Sequence, residues 1–170
     1  MERAQKEPEF IKKNPLGGIP VLELDDGTCI SESVAICRYF EALHPDPPLF
    51  GTSAVEIALI DMWLRRIELN LMFTVGQVWI HGHPFTAHLL KQIPEAAEFG
   101  RVRANLGYKL LDDQLSQYEF IAGNSYSIAD AVALATIDFA VNLVGVPYSI
   151  EMKHLKRWHE NALARPSAKA

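Results

Sequence analysis

Asn14-Pro15-Leu16-Gly17-Gly18-Ile19-Pro20-Val21-Leu22, continued by Asp26-Gly27 and by Ile30-Ser31-Glu32-Ser33-Val34-Ala35-Ile36-Cys37-Arg38-Tyr39-Phe40, is the stretch that decides the fold. Pro20-Val21-Leu22-Glu23-Leu24 and Thr28-Cys29-Ile30 are strand-like runs joined by Asp25-Asp26-Gly27, where the glycine supplies the positive φ of a tight hairpin turn. From Ser33 onward Val34, Ile36, Cys37, Phe40 and Leu43 fall at helical spacing, until His44-Pro45-Asp46-Pro47-Pro48 breaks the pattern. Upstream, Pro8 suits the first turn of a short helix that runs through Phe10 and Ile11 and that Asn14-Pro15 stops.

Beyond the prolines every periodic segment is helical. Val55, Leu59, Met62, Ile67, Leu71, Val75 and Val78 predict one long helix, and Phe99, Val102, Leu106, Leu110 and Leu115 predict a second with a narrow apolar face. Ile128 to Leu143 is apolar almost all round, the pattern of a helix surrounded by others, and Glu151 to Leu163 closes the chain with a shorter one. The division expected is residues 1–44 as a small α/β domain, 45–52 as a semi-rigid Pro-rich linker and 53–170 as an all-helical bundle.

Composition narrows the function. A chain of 170 residues with 49% apolar and 22% charged residues is of ordinary globular make-up, and a net charge of −5 argues against nucleic acid, which needs clustered Lys and Arg to displace counterions. The most apolar stretch carries Asp130, Asp138 and Asn142, whose burial in lipid costs on the order of 2.5 kcal/mol or more per central Asp, so it reads as a core helix and no membrane is expected. Cys29 and Cys37 suit neither a disulfide framework nor a zinc site, and the charged start Met1-Glu2-Arg3-Ala4-Gln5-Lys6-Glu7 is unlike a secretory signal; a cytoplasmic protein is expected. Cys37, among Val34, Ile36 and Phe40, reads as a buried and inert thiol.

The deciding stretch resembles the glutathione-binding half of cytosolic glutathione transferases, whose pattern is Asn-Pro-x-Gly-x-Val/Ile-Pro-x-Leu, a turn with Asp-Gly, then Glu-Ser-x-Ala-Ile. A second match lies at Leu111-Asp112 to Leu115 and Phe120-Ile121-Ala122-Gly123-Asn124-Ser125-Tyr126-Ser127-Ile128-Ala129-Asp130, which looks like that family's capping box. The ending from Trp158 to Arg165-Pro166 resembles its final helix. The fold implied is a thioredoxin-like α/β domain lacking its first strand-helix-strand, followed by an all-α bundle.

The resemblance implies that Ile19-Pro20 is cis and that the exposed main chain of Ile19 holds the cysteinyl part of glutathione like an added strand. Ser33, at a helix start, suits the γ-glutamyl α-carboxylate, and Glu32 the adjacent ammonium. For an arbitrary Ser-Glu-Ser the plain alternative is that Ser31 or Ser33 caps the helix while Glu32 favours its positive end. The expected glutathione-binding set is Ile19, Pro20, Glu32 and Ser33, with glutathione as cosubstrate, a small hydrophobic or oxidised second substrate, no metal, and a homodimer. No residue corresponds to the family's thiol-activating Tyr, Ser, Thr or Cys, which the resemblance places before Met1, so the catalytic residue is unassigned and the strand at Pro20 is expected to leave an unpaired edge. A noncatalytic binding or assembly module, or a truncated form of the enzyme, is the alternative function.

Other residues carry bland readings beside sharp ones. Many relatives carry Lys or Gln where Gly18 stands, to reach the glycine carboxylate, and Gln5 or Lys6 is the nearest substitute. His81, His83 and His88 read as loop residues before a metal site. Met72, Phe73, Trp79 and Tyr108 read as core or dimer contacts before an electrophile pocket. Ser127 and Asp130 have capping spacing, not hydrolase geometry.

Overall fold

The computed structural model describes residues 4–168. The chain forms two compact units that meet in sequence between Leu49 and Phe50.

The first unit is the α/β one. A single 3₁₀ turn, Ala4–Lys6, leads into helix α1 (Pro8–Lys13), with Pro8 in its first turn, where no N–H is needed. Strands β1 (Val21–Glu23) and β2 (Cys29–Ser31) pair antiparallel with Val21 opposite Ser31, Leu22 opposite Ile30 and Glu23 opposite Cys29. Gly27 takes φ +85° at the turn, and the Thr28 N–H donates to Asp26 Oδ1 at 2.8 Å, a bond that draws the Asp26 carboxyl below the usual carboxylate range. Helix α2 follows over Ser33–Leu43, and Ile19-Pro20 is cis as expected. Strand β1 is shorter than its sequence run, and β2 is shifted one residue along from Thr28-Cys29-Ile30. Cys37 is exposed, which corrects its reading as a buried thiol: α2 has no fully buried residue.

The second unit is all helical: α3 (Ala54–Ile67), α4 (Phe73–Gly82), α5 (Pro94–Leu115), α6 (Ile128–Phe139) and α7 (Lys153–Leu163). The long helix expected from Val55 to Val78 is present as α3 and α4 joined by a π-helical turn, Glu68–Met72, and a second π turn, Ala140–Val144, extends α6 to Gly145 at φ +74°. Val55 and Leu59 of the expected stripe face outward, while Ile67, Leu71, Val75 and Val78 are buried. No described helix is long and apolar enough to cross a membrane.

Helix α5 buries Leu115 as expected but turns the rest of its expected apolar face outward. Phe99, Val102, Leu106 and Leu110 are exposed, and the buried side is Ala97, Gly100, Ala104, Gly107, Tyr108, Leu111 and Leu115. The reason is close approach: a Cβ on Gly100 would stand 2.7 Å from the Thr74 carbonyl oxygen and 2.9 Å from Val78 Cγ2, so α5 lays its smallest residues against α4.

Asp130 organises the core, accepting from the Ser127 N–H and hydroxyl, each at 3.0 Å, from the Ile121 N–H at 3.0 Å and from the Trp158 indole at 2.8 Å. The capping box thus fixes the start of α6 and ties it to α7 and to the preceding loop. Burial pushes the Asp130 carboxyl upward against the pull of these hydrogen bonds. Nearby, the Tyr108 hydroxyl donates to the Val146 carbonyl at 2.8 Å, and His159 bridges Tyr148 at 3.0 Å and Asp138 at 3.1 Å.

Candidate functional site

The site lies within the first unit. Buried Asn14 ends α1 and shapes the following loop: its Nδ2 donates to the Gly18 carbonyl at 2.9 Å, its Oδ1 accepts from the Leu16 N–H at 3.2 Å, and its own carbonyl accepts from the Gly17 N–H at 2.8 Å. The loop leaves Ile19 74% exposed and outside the β-ladder, with main-chain N–H and C=O that make no hydrogen bond among the described residues. An exposed main chain with free N–H and C=O groups beside a sheet edge offers a peptide the pairing of an added strand.

Across from it stands the start of α2. Glu32 is the N-cap, yet its side chain makes no capping bond, and it holds φ 72°, ψ 117°, a conformation outside the left-handed basin that non-glycine residues rarely adopt. The first helical bond runs from the Ile36 N–H to the Glu32 carbonyl at 3.0 Å, so the N–H groups of Ser33, Val34 and Ala35 have no intrahelical acceptor. The Ser33 hydroxyl is exposed and unbonded among the described residues. Neither Ser31, which is in β2, nor Ser33, which is the first helical residue, caps α2, so the plain capping reading does not describe this helix start.

A cleft of about 150 Å³ is lined by Asn14, Leu16, Gly18, Ile19, Pro20, Glu32 and Ser33. All four residues singled out from the sequence line it. Its chemistry is polar at the Glu32-Ser33 end, where a carboxylate and a bare helix N-terminus sit side by side, and main-chain at Ile19. Asn14 was missed, although Asn-Pro at a helix end, where an Asn side chain turns back on its own backbone, carries the signal.

The other candidates sit elsewhere in the chain. Tyr108 is wholly buried, Met72 and Phe73 are exposed, and Trp79 stacks on His83 at 4.4 Å and meets Phe139 edge-on at 5.3 Å. His83 accepts the Phe85 N–H on Nδ1, and no group of three His, Cys, Asp or Glu able to hold a metal occurs among the described residues.

Residues 1–43 match the N-terminal domain of glutathione S-transferases, and residues 84–166 match their C-terminal domain. Glutathione S-transferase 2 of Saccharomyces cerevisiae is 36% identical over 167 residues, 96% of this chain and 71% of the relative. The chain belongs to the glutathione S-transferase family. The crystal structure of Gtt2 from Saccharomyces cerevisiae superposes with a TM-score of 0.91 at 36% identity, covering 98% of this chain and 81% of that one. Elongation factor 1-gamma 2 of Oryza sativa subsp. japonica is 29% identical over 171 residues, 98% of this chain but 39% of its own length. This chain is thus similar both to a protein named as a glutathione S-transferase and to part of a longer chain named as an elongation factor. The fold is the family's: a partial thioredoxin-like α/β unit and a helical C-terminal domain.

Proposed function

We propose that this chain binds reduced glutathione in the Ile19-Glu32-Ser33 cleft and serves as a glutathione S-transferase, conjugating glutathione to a small electrophile or using it to reduce an oxidised substrate. The observation that carries this reading is that one cleft gathers Ile19, Pro20, Glu32 and Ser33. Glutathione is a tripeptide with an ammonium and a carboxylate on one carbon at its γ-glutamyl end, and these are the two charges that Glu32 and the α2 N-terminus complement. The Ser33 hydroxyl and free N–H groups take the carboxylate, Glu32 takes the ammonium, and the Ile19 N–H and C=O pair with the cysteinyl peptide group. At about 150 Å³ the cleft is smaller than the roughly 300–1,000 Å³ of whole-ligand pockets, which fits a site for the γ-glutamyl and cysteinyl main chain alone.

Binding orients the thiol but does not ionise it. A cysteine-type thiol has a pKa near 8.5 and is mostly protonated at neutral pH, so the thiolate nucleophile needs a donor to stabilise it. Ser33 is the cleft's one hydroxyl-bearing side chain among the described residues, and it is committed to the carboxylate. The proposal therefore assigns substrate binding to the cleft and no catalytic residue to the described part. A homodimer, a cytoplasmic setting and a detoxifying role belong to the same proposal, on the strength of the family.

A second reading, a binding or assembly module within a larger protein, is favoured by the match of this whole chain to 39% of the rice elongation factor. Isothermal titration separates the two. Saturable binding of reduced glutathione, with the dipeptide Cys-Gly at least tenfold weaker, is the expected result. A folded chain that binds neither overturns the glutathione reading and leaves the module.

A further inference from the structure

Lys6 closes the opening 3₁₀ turn, and its ammonium lies on the loop that leads to the cleft, donating to the Leu16 carbonyl at 3.2 Å and the Gly17 carbonyl at 3.4 Å. The fit is close. Gly17 is buried at φ +59°, and a Cβ there would stand 2.7 Å from Lys6 Nζ and 2.9 Å from the Gln5 carbonyl oxygen, so the turn and the loop touch where only glycine fits. The same few residues are held by Asn14, which binds the Gly18 carbonyl, the Leu16 N–H and the Gly17 N–H. The loop thus lies between an amide that engages both N–H and C=O groups and a cation that collects two carbonyls.

We propose that Lys6 is a positioning residue for the cleft: by tying down the Leu16 and Gly17 carbonyls it fixes the loop that presents Ile19 to ligand. This deepens the reading of the cleft as a glutathione site and rests on it. The chemistry favours lysine for the task, since one compact ammonium carries three rotatable donors and satisfies two adjacent carbonyls with charge-assisted bonds. An uncharged side chain of the same length supplies neither the charge nor the donors. The sequence reading gave Lys6 a different task, a direct contact with the ligand's glycine carboxylate in place of Gly18; the two bonds to the loop place its ammonium on protein carbonyls instead.

The test is amide hydrogen exchange of the ligand-free chain, paired with titration of reduced glutathione, in wild type, Lys6→Met and Lys6→Arg. In Lys6→Met the Leu16 and Gly17 amides exchange at least tenfold faster, exchange within α6 is unchanged as the control for folding, and the Kd for glutathione rises about fivefold or more. Lys6→Arg, which keeps charge and donors, recovers most of both losses. Unchanged exchange at Leu16 and Gly17 overturns the proposal, and a raised Kd with unchanged exchange overturns it in favour of direct contact with the ligand. If wild type binds no glutathione, the functional reading fails, and the exchange of the loop alone decides the role of Lys6.

Discussion

The Asn14 side-chain amide donates to the Gly18 carbonyl at 2.9 Å from a position that is 4% exposed, so a buried residue at the end of α1 holds the chain one residue before Ile19. On the proposed reading of the cleft, this bond joins local structure to binding. Asn14→Asp keeps the acceptor for the Leu16 N–H but sets a carboxylate oxygen against the Gly18 carbonyl. A loss of about 1–3 kcal/mol in stability is expected, the cost of a buried polar group left without its partner, seen as a lower urea midpoint at unchanged slope. Glutathione affinity falls about tenfold with it. Asn14→Asp with full affinity would separate the loop from the site.

Glu32 has a conformation that glycine adopts freely and other residues do not. Such backbone strain amounts to roughly 1–3 kcal/mol and is retained where a side chain is needed. Glu32→Gly is therefore expected to leave stability unchanged or raise it by about 1 kcal/mol. Glutathione binding by the same variant drops more than tenfold, because the acceptor for the ammonium is gone. A thermal melt beside a titration reads both, and opposite signs are the signature of a residue kept for binding.

Asp130 gathers four donors from three parts of the second unit. Truncation in Asp130→Ala leaves the Ile121 N–H, the Ser127 N–H and the Trp158 indole N–H buried without acceptors. Each such group costs about 1–3 kcal/mol, and the losses are not additive, so about 3–5 kcal/mol in total is expected by chemical denaturation. Near-wild-type stability of Asp130→Ala would remove the carboxylate from its organising role.

Two glycines of the helical unit test the account of α5. Gly100→Ala brings a methyl group to 2.7 Å from the Thr74 carbonyl oxygen, whereas a Cβ on Gly76 of α4 meets nothing within 4 Å. Overpacking is expected to destabilise Gly100→Ala by about 1–3 kcal/mol despite its gain in helix propensity. Gly76→Ala, with the same gain and no clash, is expected to stabilise by up to about 1 kcal/mol. Paired denaturation curves give the comparison.

What the sequence made legible is what local chemistry dictates. The hairpin at Asp25-Asp26-Gly27, the start of α2 at Ser33 and the Ser127-Asp130 box follow from turn and helix-start rules that act within a few residues, while the cis bond at Pro20 was legible through the resemblance to the family's motif. The misread parts are set by tertiary contact. Phe99, Val102 and Leu106 form the more apolar stripe of α5, yet the core takes the glycine face, because backbone approach to α4 decides which side turns in. Cys37 lies in an apolar helix pattern, but α2 in this unit has no residue fully enclosed. The π turns at Glu68–Met72 and Ala140–Val144 insert into helical runs without breaking the apolar pattern and so leave no mark on it. At the cleft, Ile19, Pro20, Glu32 and Ser33 were legible by motif, while the bonds by which Asn14 and Lys6 hold the loop depend on how the loop folds back on α1 and the opening turn.

The most direct test of the central claim is a titration of the ¹⁵N-labelled chain with reduced glutathione, followed by amide chemical shifts in wild type, Glu32→Ala and Ser33→Ala. The account predicts saturable shifts concentrated at Gly18, Ile19, Ser33, Val34 and Ala35, weakened at least tenfold in each variant while the dispersion of a folded protein is retained. A folded wild-type chain whose amides at these positions do not move, or variants that bind as tightly as wild type, contradicts it.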